Sequence, residues 1–223
     1  MWHPEKTRYR SHYSAHTIRK NILLEGALMK PFNKRNKRLF ISTIIGVIFV
    51  SAAGTLLHFV YSWTGNNSII GLFAPVNEST WEHMKLIYFP MLLFCAAEYF
   101  FLSGHYQRLI RADLAGILAG TWLIPVAFYT YTGILGFHTL TLDILTFLFS
   151  VLTAFYVRCH SLLLPGHIEH TLFDKIFKTK SGTKCRGLSG PAFFYFICVL
   201  ITGVCFLIFT YYPPAAGLFV SPS

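Results

Sequence analysis

Charge is scarce in this sequence. Only 13% of its 223 residues are Asp, Glu, Lys or Arg, roughly half the 25% or so usual in soluble domains. Between Leu39 and Asn77 there is no charged side chain at all, which rules out an ordinary solvated surface over that stretch. The five cysteines, Cys95, Cys159, Cys185, Cys198 and Cys205, include no CxxC pair. They do not read as a disulfide framework, and we take them as small apolar packers. There is no HExxH helix, no phosphate-binding glycine loop and no GxSxG elbow, so the enzyme classes those motifs mark are not indicated.

What replaces the missing charge is apolar and aromatic. Hydrophobic residues make up 54% of the chain, with 22 Phe and 12 Tyr, in five long runs. An uncharged apolar run of about 20 residues crosses the hydrocarbon core as a helix. The fold expected is therefore all-α, a polytopic transmembrane helical bundle of about five spans. The predicted helices lie near 40–61, 84–104, 113–131, 141–164 and 191–212, within a membrane domain at 39–220. Residues 1–38 read as a basic cytoplasmic tail, and Met29, which opens the compact run MKPFNKRNKRLF, is a candidate true start. Ser51-Ala52-Ala53 resembles a signal cleavage site, but the apolar run continues to Tyr61, so the first span is read as an anchor. Pro90 and Pro125 fall inside spans and are expected to kink them.

The net charge of +10 is placed in a pattern. All Lys and Arg except Lys85 occur before Leu39, at Arg108 and Arg111, or from Arg158 to Arg186. These segments alternate with apolar runs as cytoplasmic segments do, giving an N-in, C-out topology in a cell membrane. Residues 165–190 become a basic cytoplasmic loop. The expected partner is the lipid bilayer, with a homo-oligomer or a membrane partner left open. Nucleic acid is not expected, for want of a stacking-aromatic module. On the external side lies Ser62 to Thr80, where Ile69 to Phe73 is apolar enough to dip back into the interface.

Ionisable residues inside spans are expensive and draw functional suspicion. Glu78, Glu82, Asp113 and Asp143 fall in predicted opening turns, where carboxylates act as caps; Ser79 with Glu82 has capping-box spacing, and Thr141 suits the helix of Asp143. Lys85 shares a helical face with Glu78 and Glu82 and is expected to pair there. Glu98 lies too deep to cap anything. It is expected either to pair with Arg108, Arg111 or Arg158 or to be protonated. His58, Glu78 and His83 form a His/Glu set of the kind that binds catalytic zinc or iron, with His138 and Asp143 at the same level. Glu82 and His83, being adjacent, point about 100° apart. The mixture of His160, His167, His170, Cys159 and Cys185 in the inner loop matches no established zinc spacing.

The run HFVYSWTGNNSIIGLFAPVNESTWEHMKLIYFPMLL, His58 to Leu93, resembles an uncharacterised family of bacterial multi-pass membrane proteins, mainly from Gram-positive organisms. The likeness continues through IPVAFYTYTGILG, LDILTFLFSV and FTYYPPAAGLF. It implies a compact five-span membrane domain without an assigned activity, and it points to Asn77 to Lys85 as the place for a common site. The function favoured is a non-enzymatic carrier or ligand-sensing protein with a polar pocket on the extracellular side. The candidate pocket residues are His58, Asn77, Glu78, Trp81, Glu82, His83, Lys85 and Glu98. The alternatives are an accessory or scaffold subunit, and a metal-dependent enzyme at the outer leaflet with His58, Glu78 and His83 as ligands. A bound transition metal is thus an alternative and not the favoured cofactor.

Overall fold

The computed structural model describes residues 34–102, 108–163 and 190–221. The basic tail through residue 33, the proposed start at Met29, and the loop carrying His167, His170 and Cys185 lie outside the described residues. The elements in chain order are α1 (Lys34–Trp63), α2 (Ser68–Gly71), α3 (Thr80–Leu102), α4 (Leu109–Leu135), α5 (Leu140–Leu163), α6 (Gly190–Phe209) and a final 3-10 turn (Gly217–Phe219). The chain divides into two units between Phe40 and Ile41. The described part of the first is the basic opening of α1, and the second holds the bundle.

Five of these helices are long and apolar enough to cross a membrane, with mean hydropathies from 1.4 to 2.7. The chain is an all-α, five-span membrane bundle. Its outer faces are as apolar as its core: Ile48, Phe100, Leu152 and Ile201 are all exposed. A helix that is apolar all round belongs in a hydrophobic surround rather than at a water boundary.

Turn chemistry sets where the helices stop. α4 ends at Gly136, whose φ of 77° is left-handed and whose N–H donates to the Thr132 carbonyl at 2.8 Å. This is the αL cap that favours glycine. Thr139 then receives the Leu142 N–H on its hydroxyl at 3.4 Å, so Thr139, and not Thr141, caps α5. The patch Ile69 to Phe73 forms the short helix α2 and the turn after it, with Asn67 accepting the Ile69 N–H at 2.9 Å.

The interior is organised around α3. Trp81, Met84, Ile87, Tyr88, Met91 and Phe94 are buried there against Ile117 and Ile124 of α4, Val151, Ala154 and Phe155 of α5, and Val199 and Phe206 of α6. Without a hydrophobic driving force between helices in lipid, close packing needs small residues at the contacts. Gly116 and Gly120 of α4 supply them, because a Cβ on Gly116 would come within 2.7 Å of the Ala154 carbonyl oxygen. Pro90 and Pro125 both sit inside continuous helices.

Three helices are also joined by charge. Arg158 of α5, fully buried, donates from Nε to Asp113 Oδ1 of α4 at 2.7 Å and from Nη2 to Glu98 Oε2 of α3. Glu98 is thus an ion-pair member, with Arg158 its partner. The expectation that Asp113 caps its helix is corrected: α4 begins at Leu109, a full turn earlier, and Asp113 turns inward to the guanidinium.

Removing one member of a buried ion pair leaves the other charges unanswered and costs about 3–5 kcal/mol. Arg158→Ala is expected to lower the thermal midpoint and the monodisperse yield of detergent-purified protein sharply. Arg158→Met combined with Glu98→Gln and Asp113→Asn, which removes all three charges, should recover most of that loss.

Candidate functional site

The site is built on the start of α3. Ser79 occupies the cap position, accepting the Glu82 N–H on its hydroxyl at 3.3 Å, while its own N–H goes to Asn77 Oδ1 at 2.9 Å. Because Asn77 has taken that donor, Glu82 reaches further back than in an ordinary capping box. It accepts the Val76 N–H on Oε2 at 3.0 Å. Asn77, Ser79 and Glu82 thus hold the loop before α3 in one conformation.

Lys85 completes this anchor. Its ammonium is buried and donates to Glu82 Oε2 at 2.7 Å, to the Gly71 carbonyl at 3.0 Å and to Thr210 Oγ1 at 2.6 Å. An ammonium has three protons, and each has an acceptor here. Lys85 therefore ties α2 and the end of α6 to α3. Gly71 and Thr210 give no sign of this in the sequence, since one partner is a backbone carbonyl and the other is 125 residues away.

Glu78 does not join Lys85 and Glu82, because it precedes the first residue of α3 and lies off the helical face. Its carboxylate meets two histidines instead: His83 Nε2 is 3.3 Å from Oε2, and His58 Nε2 of α1 is 3.8 Å from Oε1. The adjacent Glu82 and His83 do diverge, one to the Lys85 anchor and the other to Glu78. His83 Nδ1 lies 2.9 Å from the Ser79 carbonyl. The hydrogen bond from His83 holds the Glu78 carboxyl below its ordinary value of 4.5, with the charges of His83 and His58 acting in the same direction.

His58, Glu78 and His83 line a cavity of about 650 Å³ walled by α1, α3, α4 and α5. Its sides are mostly apolar, including Leu86, Ile124, Phe128, Ile144 and Phe147. Its polar lining includes His58, Glu78, His83, His138 and Asp143. Asp143 accepts a hydrogen bond from Tyr131 and lies 3.5 Å from His138 Nδ1. Tyr131 was not singled out by the sequence; its one signal is a place twelve residues before Asp143 across a tight turn.

Of the eight candidate pocket residues, the structure brings His58, Glu78 and His83 to the cavity. Asn77, Glu82 and Lys85 stand behind it as the loop anchor. Trp81 is buried on another side of α3 among Phe206, Phe209 and Phe219. Glu98, far along α3 from Glu78, belongs to the Arg158 pair and not to the cavity wall.

A carboxylate whose folded pKa is depressed stabilises the fold above its unfolded pKa, and that contribution disappears as pH falls through the folded value. Wild-type protein is therefore expected to melt higher than Glu78→Gln at neutral pH. The difference should shrink to nothing as acidification carries the medium below 4.5, as read by thermal scans across pH.

No curated protein and no solved structure gives a significant match to this chain. The family described as a family of unknown function, DUF6512, matches residues 29–174. That match takes in α1 through α5 with the whole His58–Glu78–His83 cluster, and by it the chain belongs to the DUF6512 family.

Proposed function

We propose that this protein is a non-enzymatic carrier or ligand sensor of a bacterial cell membrane, and that its ligand occupies the cavity between α1, α3, α4 and α5. The observation that carries this reading is the cavity itself: an apolar chamber with titratable side chains gathered in part of its wall. Binding sites for small molecules have this character, with mostly apolar walls and a few placed polar groups. The ligand fitting it is amphipathic, with an apolar body along Ile124, Phe128 and Phe147 and a polar head toward His58, Glu78 and His83. Two buried cations outside the cavity, Lys85 and Arg158, are answered by carboxylates of the bundle, so the cavity takes its polarity from its own lining.

In this reading the N-terminus is cytoplasmic and the polar end of the cavity faces the outer leaflet. The distribution of basic residues supports that orientation. Arg108 and Arg111 stand at the opposite end of α4 from Phe128, and all Lys and Arg of the sequence except Lys85 fall in the segments assigned to the inside. Five spans without an internal repeat suit a protein that works as a homo-oligomer or with a membrane partner.

Thr146, half-buried in the cavity wall, is the position for a test. Protein extracted from its native membrane is expected to release a stoichiometric amphipathic molecule by native mass spectrometry. Thr146→Trp, which fills the chamber, should lose that molecule while keeping its helical content. Equal occupancy in both proteins, or none in the wild type, would sink the reading. Reporter fusions at Gly65 and Gly136 should be active only as external fusions, and cytoplasmic activity at either would reverse the orientation.

A further inference from the structure

His58, Glu78 and His83 each offer one donor atom, and these three atoms lie within 4.8 Å of one another. Tetrahedral zinc, with bonds of 2.0–2.2 Å to nitrogen and carboxylate oxygen, holds its donors about 3.3 Å apart. His83 Nε2 is 3.3 Å from Glu78 Oε2 and His58 Nε2 is 3.8 Å from Oε1, so bringing all three donors from within 4.8 Å to tetrahedral spacing asks for rotation of the side chains about an ion.

The orientation of His83 supplies an independent argument. The Ser79 carbonyl can only accept, so at 2.9 Å it takes the Nδ1–H of His83. Nε2 is thereby turned to the Glu78 carboxylate at 3.3 Å, where it either gives its hydrogen bond to Glu78 or, with that proton displaced, shares a cation with the carboxylate. A backbone carbonyl on the far nitrogen is also the usual outer-shell partner that fixes a metal-binding histidine in the correct tautomer. Here that carbonyl belongs to the residue capping α3. The helix start, the anchor behind it and the histidine are therefore locked together.

We propose that His58 Nε2, Glu78 and His83 Nε2 bind a divalent transition metal, zinc by its donor set, with a fourth position open to the cavity. Two histidines and one carboxylate with an open position is a common zinc arrangement at functional sites. His138 and Asp143 line the same cavity, and Asp143 is already engaged by Tyr131. The metal rests on the three donors alone, so it stands whether or not the cavity holds an amphipathic ligand.

The test uses the full chain in detergent, stripped with chelator and titrated with Co²⁺ and then Zn²⁺, with no other ligand present. One equivalent of Co²⁺ should give the visible ligand-field absorption of a four- or five-coordinate ion, and Zn²⁺ should displace it and raise the thermal midpoint. His58→Ala and His83→Ala should each weaken binding roughly a hundredfold or more, with helical content unchanged. If either variant fails to fold, the wild-type titration still decides the matter: no stoichiometric Co²⁺ spectrum overturns the proposal. A spectrum that survives loss of both His58 and His83, or that vanishes only in His167→Ala/His170→Ala, assigns the metal elsewhere and overturns it too.

Discussion

A guanidinium placed where no water reaches must find its counter-charges inside the protein, and the bundle is arranged around that demand. Arg158 takes one carboxylate from α3 and another from α4 while standing on α5. The desolvation of such a group is repaid only when geometry is good and its charge is answered. That requirement fixes the rotation and axial register of three helices relative to one another. In a bilayer, where apolar contact alone discriminates poorly between helix faces, a polar pin of this kind gives the packing its specificity. Gly116 and Gly120 let α4 come close enough to α5 for the pairing to form.

The other end of the bundle obeys the same rule with a cation of the opposite habit. Lys85 is a compact three-proton donor, and it gathers a carboxylate, a carbonyl and a hydroxyl from α3, α2 and the end of α6. Its effect is to hold the loop before α3 rigid. Glu78 projects from that loop, so the anchor sets the position from which Glu78 meets His58 and His83. Structural charge and candidate site are thus coupled: the buried ammonium has no place in the cavity, yet it holds the loop from which Glu78 joins the cavity wall.

Much of this was legible beforehand, for reasons that lie in single residues. The five spans follow from uncharged runs of sufficient length, and the Ser79–Glu82 cap follows from spacing. The partnership of Glu98 with an arginine near the end of α5 was one of few solutions open to a carboxylate so deep in a span. The capping role expected of Asp113 failed because the helix starts at Leu109. An apolar run marks where a helix must be buried, whereas the helix itself extends as far as its hydrogen bonds allow. Likewise Thr141 gave way to Thr139, since Gly136 closes α4 and leaves the chain only a short turn before α5 begins.

The sequence by itself determined the fold class and the number of spans, because hydration of charge and peptide groups is a local, additive cost that each segment carries alone. It also pointed to Asn77 to Lys85 as a stretch dense in polar candidates. Only the tertiary structure decided which polar residues share a space. Glu82 and Lys85 turn toward Thr210, 125 residues beyond the lysine, whereas Glu78 and His83 turn toward His58 on α1. That division depends on how helices pack side by side, and no spacing along a single chain contains it.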